Sequence, residues 1–89
     1  MTNIEIRKLI IDALKYANVH GIQNNAQVSG FLSGEGDVNL SSLDMDSLAT
    51  MELFIAIELN CGVSIVPETL LTLNTLSDLA QKISDEQRT

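Results

Sequence analysis

Residues 47–60 are the feature that most limits what this chain can fold into. Nine of these residues are apolar, and only Glu52 and Glu58 are charged. Asp46 or Ser47 can cap the start of a helix here, and Gly62 is a stop signal. A helix that is apolar around most of its circumference is either central in its domain or presents an apolar face to a ligand or partner. The sequence therefore predicts a helix over 47–60 and leaves both of these positions open for it.

Two further stretches have the spacing of amphipathic helices. Thr2 and Glu5 have the spacing of a capping box and precede a helix predicted over 3–18. Thr75 and Asp78 repeat this arrangement before a last helix predicted over 75–84. Residues 85–89 are predicted to be a polar tail.

The connections between these helices differ in length. Residues 19–42 show no sustained period and are predicted to be a long loop with at most one helical turn. Residues 63–66 are predicted to be an extended connector, and Pro67 fits the first position of a short helix over 67–71. The fold class is therefore all-α: a small four-helix bundle of three main helices and one short one, in a single domain over 1–89. Six apolar residues are expected to hold the long loop against the core: Val28, Phe31, Leu32, Val38, Leu40 and Leu43.

The charge distribution narrows the range of partners. The net charge is −7, and no Lys or Arg occurs between Tyr16 and Gln81, where eight carboxylates lie. Such a surface repels nucleic acid and anionic lipid, and it attracts proteins with basic patches, although the acids can also serve solubility alone.

No apolar run approaches the roughly 18 residues of a membrane span, and the N-terminus does not have the pattern of a signal peptide. We expect a cytoplasmic monomer that binds neither nucleic acid nor membrane.

The chain offers little for catalysis or metal binding. His20 is the only histidine, is expected at the surface, and has no Ser or Cys at helical spacing. Cys61 is expected to be a small buried apolar residue. Residues 37, 39 and 41 resemble the start of a calcium loop, but Ser42 and Leu48 stand where such a loop needs Gly and Glu. No enzyme activity and no metal site are predicted.

Ser47 has two interpretations. A serine in the first turn of a helix is often only an N-cap, and its spacing alone favours that role. It can also accept a phosphoryl group, because free N–H groups and the helix dipole favour an anion there by about 0.3–1 kcal/mol. A cap alone does not account for the preceding long loop, the missing cations or the apolar helix that follows.

The chain from Leu40 to Ile83 resembles the acyl carrier protein family, which includes peptidyl carrier domains. The centre of the resemblance is Asp46-Ser47-Leu48. The residues around this centre that fall in family-like places are Leu43, Met51, Glu52, Leu53, Ala56, Ile57, Glu58, Gly62, Val63, Ile65, Leu73, Thr75, Leu76 and Leu79.

The resemblance implies that Ser47 accepts 4′-phosphopantetheine from coenzyme A through a phosphopantetheinyl transferase, which itself binds magnesium. The thiol of the arm then carries acyl or aminoacyl groups as thioesters to ligases, synthases or transferases, and Asp46 helps the transferase to dock. The implied docking surface comprises Asp44, Met51, Glu52, Ile55, Glu58 and Leu59. The implied acyl cleft comprises Met51, Ile55, Val63, Ile65 and Leu70.

The sequence departs from the family pattern at several places. Asp44 stands where the family usually has Gly, and Ala49 replaces a common acid. The predicted short helix has one acid, Glu68, and the loop before Ser47 is longer than in common fatty-acid carriers. These departures favour a specialised carrier in polyketide, peptide or modified-lipid synthesis. The alternatives are a housekeeping fatty-acid carrier and a non-covalent helical interaction module in which Ser47 is dispensable.

Overall fold

The computed structural model describes residues 2–22 and 25–87. Within them the chain forms four α-helices and no strand. The helices are α1 (Asn3–Tyr16), α2 (Gln27–Ser33), α3 (Ser47–Cys61) and α4 (Leu76–Gln87). Three 3-10 segments span His20–Ile22, Leu40–Leu43 and Pro67–Thr72. The predicted all-α class and the count of four helices are confirmed. None of the described helices has the combined length and hydropathy that crossing a membrane requires.

The predicted capping box begins α1. The Glu5 N–H donates to Thr2 Oγ1 at 3.2 Å, and Glu5 Oε1 accepts from the Thr2 N–H at 2.8 Å. The bond from the Thr2 backbone to the Glu5 carboxylate, and next the interaction of that carboxylate with the Thr2 side chain, lower the pKa of Glu5. The helix ends two residues before the predicted position 18, because Asn18 adopts a left-handed conformation with φ of 58°.

Helix α1, rather than α3, is the hub of the fold. Among the described helices it packs closely against each of α2, α3 and α4. Its buried face comprises Ile6, Ile10, Ile11, Ala13 and Leu14. Of the two alternatives for residues 47–60, a central helix and a helix with an exposed apolar face, the structure shows the second. Helix α3 buries one face, mainly against α1, and leaves another apolar face exposed, as the second interpretation of that stretch allowed.

The prediction of at most one helical turn within 19–42 is wrong, because two-turn α2 and two 3-10 segments lie in or extend into that region. Phe31 of α2 is fully buried and contacts Arg7 of α1. Arg7 Nη1 donates to the Phe31 carbonyl at 2.9 Å, and the Arg7 guanidinium lies 4.7 Å from the centroid of the Phe31 ring. The stabilising contacts of α2 are thus tertiary, and a seven-residue helix is too short to show a clear period.

The chain between α2 and α3 is tied to the start of α4. The Leu40 N–H donates to the Asn74 carbonyl, and the Leu76 N–H donates to the Val38 carbonyl, each at 2.9 Å. A Cβ on Gly21 would lie 2.6 Å from Leu43 Cα, so the two 3-10 segments approach each other as closely as glycine permits. The predicted core contacts of this region are confirmed: Phe31, Val38 and Leu43 are buried, and Val28, Leu32 and Leu40 are partly buried against the core.

The second half of the chain follows the prediction more closely. Gly62 ends α3 with φ of 75°, residues 63–66 form no helix or strand, and Val66 has an extended backbone. The segment Pro67–Thr72 is a 3-10 helix, close to the predicted 67–71. The predicted capping box of Thr75 and Asp78 is present at the start of α4. This helix continues to Gln87 instead of 84, and a Lys82–Glu86 ion pair at 3.1 Å lies in its last turns.

Some expectations on single residues have a different outcome. Cys61 is half-buried rather than buried, and its Sγ donates to the Ile57 carbonyl at 3.1 Å. The polar tail is helical through Gln87, and residues 88 and 89 lie outside the described residues. The His20 side chain, predicted at the surface, also lies outside what the structure describes.

Asp37 connects the loop to α4 through an ionised carboxylate. Its Oδ1 accepts from the Val38 N–H at 2.9 Å and from the Ser77 N–H at 3.0 Å. Burial by itself raises the pKa of Asp37, but these backbone bonds and those from the Thr75 and Ser77 side chains outweigh it, so the pKa lies below its ordinary value. The folded state therefore favours the ionised form. Its stabilising contribution is present at neutral pH and is lost as the pH falls through the lowered pKa.

We predict that Asp37→Ala lowers the free energy of unfolding at pH 7 by about 0.5–2 kcal/mol, the scale of a lost helix cap. The deficit should shrink as the pH falls below about 4, the ordinary pKa of Asp, and should vanish once the pH is below the lowered pKa of the folded carboxylate. Urea unfolding across this pH range measures the difference. Glu35→Ala removes an exposed acid from the same loop and should show little effect. A deficit of constant size at every pH would contradict the prediction.

Candidate functional site

Asp46, and not Ser47, is the N-cap of α3. Asp46 has an extended backbone, and its Oδ1 accepts from the Ala49 N–H at 2.7 Å. The Asp46 carbonyl accepts from the Thr50 N–H at 3.0 Å and from Thr50 Oγ1 at 2.9 Å. The structure thus decides between the two candidate caps. Because Asp46 performs the capping, Ser47 becomes the first residue of the helix.

The Ser47 side chain has no structural task of this kind. It is exposed, and within the described residues its hydroxyl forms no hydrogen bond. The backbone N–H groups of Ser47 and Leu48 also have no acceptor among those residues. An oxyanion placed on Ser47 would meet these N–H groups and the positive end of the helix dipole. The site therefore combines an accessible hydroxyl with a local preference for an anion.

Asp44 makes the turn that leads into this site. It adopts a left-handed conformation with φ of 52° and ψ of 48°. Glycine enters this region without a steric penalty, and Asp is one of the few other residues that tolerate it. This explains how Asp can stand at the place where the resemblance leads us to expect Gly. Asp44 is exposed, so its carboxylate adds to the negative charge beside Ser47.

Two grooves lie between α3 and the segment that follows it. The first, which we call the Ser47 cleft, has a volume of about 460 Å³ and includes Ser47, Met51 and Leu70 in its walls. The second, the Ile65 cleft, has a volume of about 190 Å³ and includes Met51, Ile55 and Ile65. Met51 borders both, so the two clefts adjoin each other.

The structure places the predicted cleft residues unevenly. Four of the five, Met51, Ile55, Ile65 and Leu70, border these two clefts. Val63 does not join them: it is buried and borders a groove at the far end of α3, with Cys61 and the last turn of α4. The connector carries the chain from that end toward Ser47, so Val63 and Ile65 reach different places. Sequence reasoning missed Met45, Thr50 and Leu71, which also line the Ser47 cleft.

Helix α3 exposes a continuous apolar stripe. The stripe consists of Leu48, Met51, Ile55 and Leu59, whose exposed fractions are 63%, 52%, 50% and 81%. Their spacing of three or four residues puts them on one side of the helix. Phe54, the neighbour of Ile55 in the sequence, is buried and does not belong to this stripe. The other residues of the predicted docking surface are also accessible: Asp44 and Glu58 are exposed, and Glu52 is half-buried.

These features define a small helical domain that displays a serine hydroxyl at a helix N-terminus beside an apolar cleft. The family model described as "phosphopantetheine attachment site" matches residues 26–83. No curated protein and no solved structure gives a significant match to the chain. The match covers α2, α3 and most of α4, so the chain belongs to the phosphopantetheine attachment site family. Domains of this family carry 4′-phosphopantetheine covalently, which is the predicted cofactor.

The residues around Ser47 fit such a group. The hydroxyl is accessible, and among the described residues neither it nor the N–H groups of Ser47 and Leu48 have a hydrogen-bond partner, while the Ser47 cleft includes Ser47 in its wall. Its volume lies within the roughly 300–1,000 Å³ typical of ligand pockets. Ser47 would hold the group, and the cleft walls would offer the arm and its load an apolar surface.

We predict that Asp46→Ala destabilises the domain by about 0.5–2 kcal/mol, because the Ala49 N–H loses its acceptor. Asp46→Ser keeps a capping oxygen without the charge and should retain most of this stability. Urea unfolding compares the two variants, with Asp85→Ala on the exposed side of α4 as the control for removal of an acid. If Asp46→Ser is as unstable as Asp46→Ala, the cap is not the main contribution of Asp46.

Proposed function

We propose that this chain is a carrier protein that holds acyl or aminoacyl intermediates as thioesters on a 4′-phosphopantetheine arm attached to Ser47. The observation that carries the proposal is the position of Ser47: its hydroxyl is exposed at the N-terminus of α3 and has no hydrogen-bond partner among the residues that the structure describes, while Asp46 supplies the cap. A serine that was only a cap would have its hydroxyl bonded to the first-turn N–H groups.

Each part of the site contributes to this role. The arm supplies the thiol on which a cargo is carried as a thioester. The Ser47 hydroxyl anchors the arm through a phosphodiester, and the N–H groups of Ser47 and Leu48 stabilise its negative charge. Tethering keeps the cargo at a high effective concentration near each partner that docks. The chain itself needs no general base or metal ligand for this work, and we propose that it is not an enzyme.

The apolar stripe on α3 is the proposed docking surface for partner enzymes. It begins at Leu48, directly beside Ser47, so a partner that covers it also receives the arm. The carboxylates of Asp44, Glu52 and Glu58 accompany the stripe and favour partners with a basic surface around an apolar centre. The phosphopantetheinyl transferase and the enzymes that load and unload the arm are the partners of this kind.

The same surface supports a specialised carrier better than a housekeeping one. Helix α3 has few charges for a docking helix, and four large apolar side chains stand at least half exposed on it. We therefore propose dedicated partners in polyketide, peptide or modified-lipid synthesis. The exposed stripe also favours the second candidate, a non-covalent interaction module, and the two candidates differ in whether Ser47 is modified.

We predict that the purified chain gains the mass of one phosphopantetheinyl group when it is incubated with coenzyme A and a broad-specificity phosphopantetheinyl transferase. Ser47→Ala should abolish the gain, because the other hydroxyl in the first turn of α3, that of Thr50, already donates to the Asp46 carbonyl. Ser41→Ala, an exposed serine upstream of the site, should be modified as the wild type is. Intact-mass spectrometry gives the readout. A wild-type chain that stays unmodified, while a known carrier is modified in the same mixture, would favour the non-covalent module.

We also predict that Met51→Asp speeds hydrolysis of a medium-chain thioester on the loaded arm severalfold. Met51 borders both clefts, so a carboxylate there would weaken apolar shielding of the cargo. Leu59→Asp makes the same kind of change on the same helix outside these clefts and should leave the rate unchanged. Circular dichroism must show both variants folded. Equal rates in all three proteins would mean that the cargo stays exposed to water.

A further inference from the structure

A second groove lies between α1 and α3, at the end of α3 that is far from Ser47. Its walls are mainly apolar: Leu9 and Ala13 from α1 face Ala56 and Leu59 from α3. Tyr16 also lines it and is 71% exposed, while Leu59 is 81% exposed. The proposed arm and its clefts account for none of these walls. We call this feature the Tyr16 groove.

The size of the Tyr16 groove limits what can occupy it. Its volume is about 260 Å³. Clefts that bind small molecules usually measure roughly 300–1,000 Å³, so the groove is better matched to one long side chain than to a cofactor. Such a side chain would belong to the surface of a partner protein.

The polar groups that line the Tyr16 groove indicate which type of partner side chain can bind there. The Asp12 carboxylate is exposed and, within the described residues, forms no hydrogen bond and no ion pair, even with Lys8 or Lys15 on the same helix. The Asn60 amide nitrogen donates to the Ala56 carbonyl at 2.7 Å, so Oδ1, an acceptor, is the atom that remains for a ligand. The groove thus combines apolar walls with hydrogen-bond acceptors at its rim.

An arginine side chain matches this combination. Its methylene stem packs on apolar walls, its guanidinium donates to a carboxylate in a fixed fork, and the planar group stacks on an aromatic ring. A lysine offers a point charge without the fork or the planar stacking surface, and a purely apolar side chain leaves Asp12 and Asn60 unused. We propose that the Tyr16 groove is a docking site for an arginine side chain of a partner protein, with Asp12 as its anion and Tyr16 as its stacking surface.

The location adds to this argument. Leu59 is both the last residue of the apolar stripe and a wall of the Tyr16 groove, so the groove continues the proposed docking surface onto α1. A partner that covers α3 can therefore reach it with one basic side chain. The groove does not include Ser47, and binding of an arginine there does not require the arm.

The test uses the full chain and N-acetyl-arginine amide as the probe. In a titration followed by amide nitrogen–proton NMR, we expect saturable shifts centred on Leu9, Asp12, Tyr16 and Leu59, with a dissociation constant on the order of 1 mM for a ligand of this size. N-acetyl-lysine amide should bind more weakly at the same residues. Asp12→Asn and Tyr16→Ser should each weaken arginine binding by about fivefold, the scale of one exposed ion pair or stacking contact.

Glu35→Gln is the matched control, because it removes one exposed acid away from the groove and should leave the affinity unchanged. Three results would overturn the proposal. Shifts spread over the acidic surface, or an equal loss in Glu35→Gln, would mean non-specific attraction. Shifts at the same residues on raising the protein concentration without probe would assign the groove to a second copy of the chain. Because Ser47 plays no part in these measurements, their outcome is separate from that of the modification experiment.

Discussion

Burial of the apolar face of α1 is the constraint on which the rest of the structure depends. This helix packs against α2, α3 and α4, and Ile6, Ile10 and Leu14 are essentially fully buried. Because α1 takes the central position, α3 needs to bury only one of its faces. The apolar residues on its other face are left at the surface, and the same arrangement creates the Tyr16 groove beside them. The exposed stripe thus follows from the way the core is built around a different helix.

The site at Ser47 depends on how capping is divided between neighbouring residues. Asp44 turns the chain in a left-handed conformation, and Asp46 caps the first turn of α3. Ser47 is then the first residue of the helix, and its hydroxyl has no hydrogen-bond partner within residues 2–22 and 25–87. If Ser47 were itself the cap, its oxygen would be engaged with the helix. Helix capping is therefore performed by Asp46, and the hydroxyl of Ser47 stays available for the attachment that we propose. It also keeps the N–H groups of Ser47 and Leu48 available to a phosphate.

In the region between α1 and α3, tertiary contacts stabilise helical structure that the local sequence pattern indicates only weakly. Phe31 is held under Arg7, Gly21 allows the close approach to Leu43, and Asp37 accepts hydrogen bonds from the first turn of α4. These contacts join residues that are far apart in the sequence. They set the position from which the chain enters the turn at Asp44, and so they help to place Ser47 at the surface.

The sequence by itself determined the all-α class, both capping boxes and the stop at Gly62, because these depend on periodicity and on residues a few positions apart. It left the position of α3 open, because a helix that is apolar nearly all round can be central or can expose one face, and it treated 19–42 as a loop because seven residues of α2 show no clear period. Only the tertiary structure decided that α1 is the hub, that Asp46 and not Ser47 is the cap, and that Val63 lies away from the clefts. These outcomes depend on which helix faces compete for the same core, and that competition involves the whole chain at once.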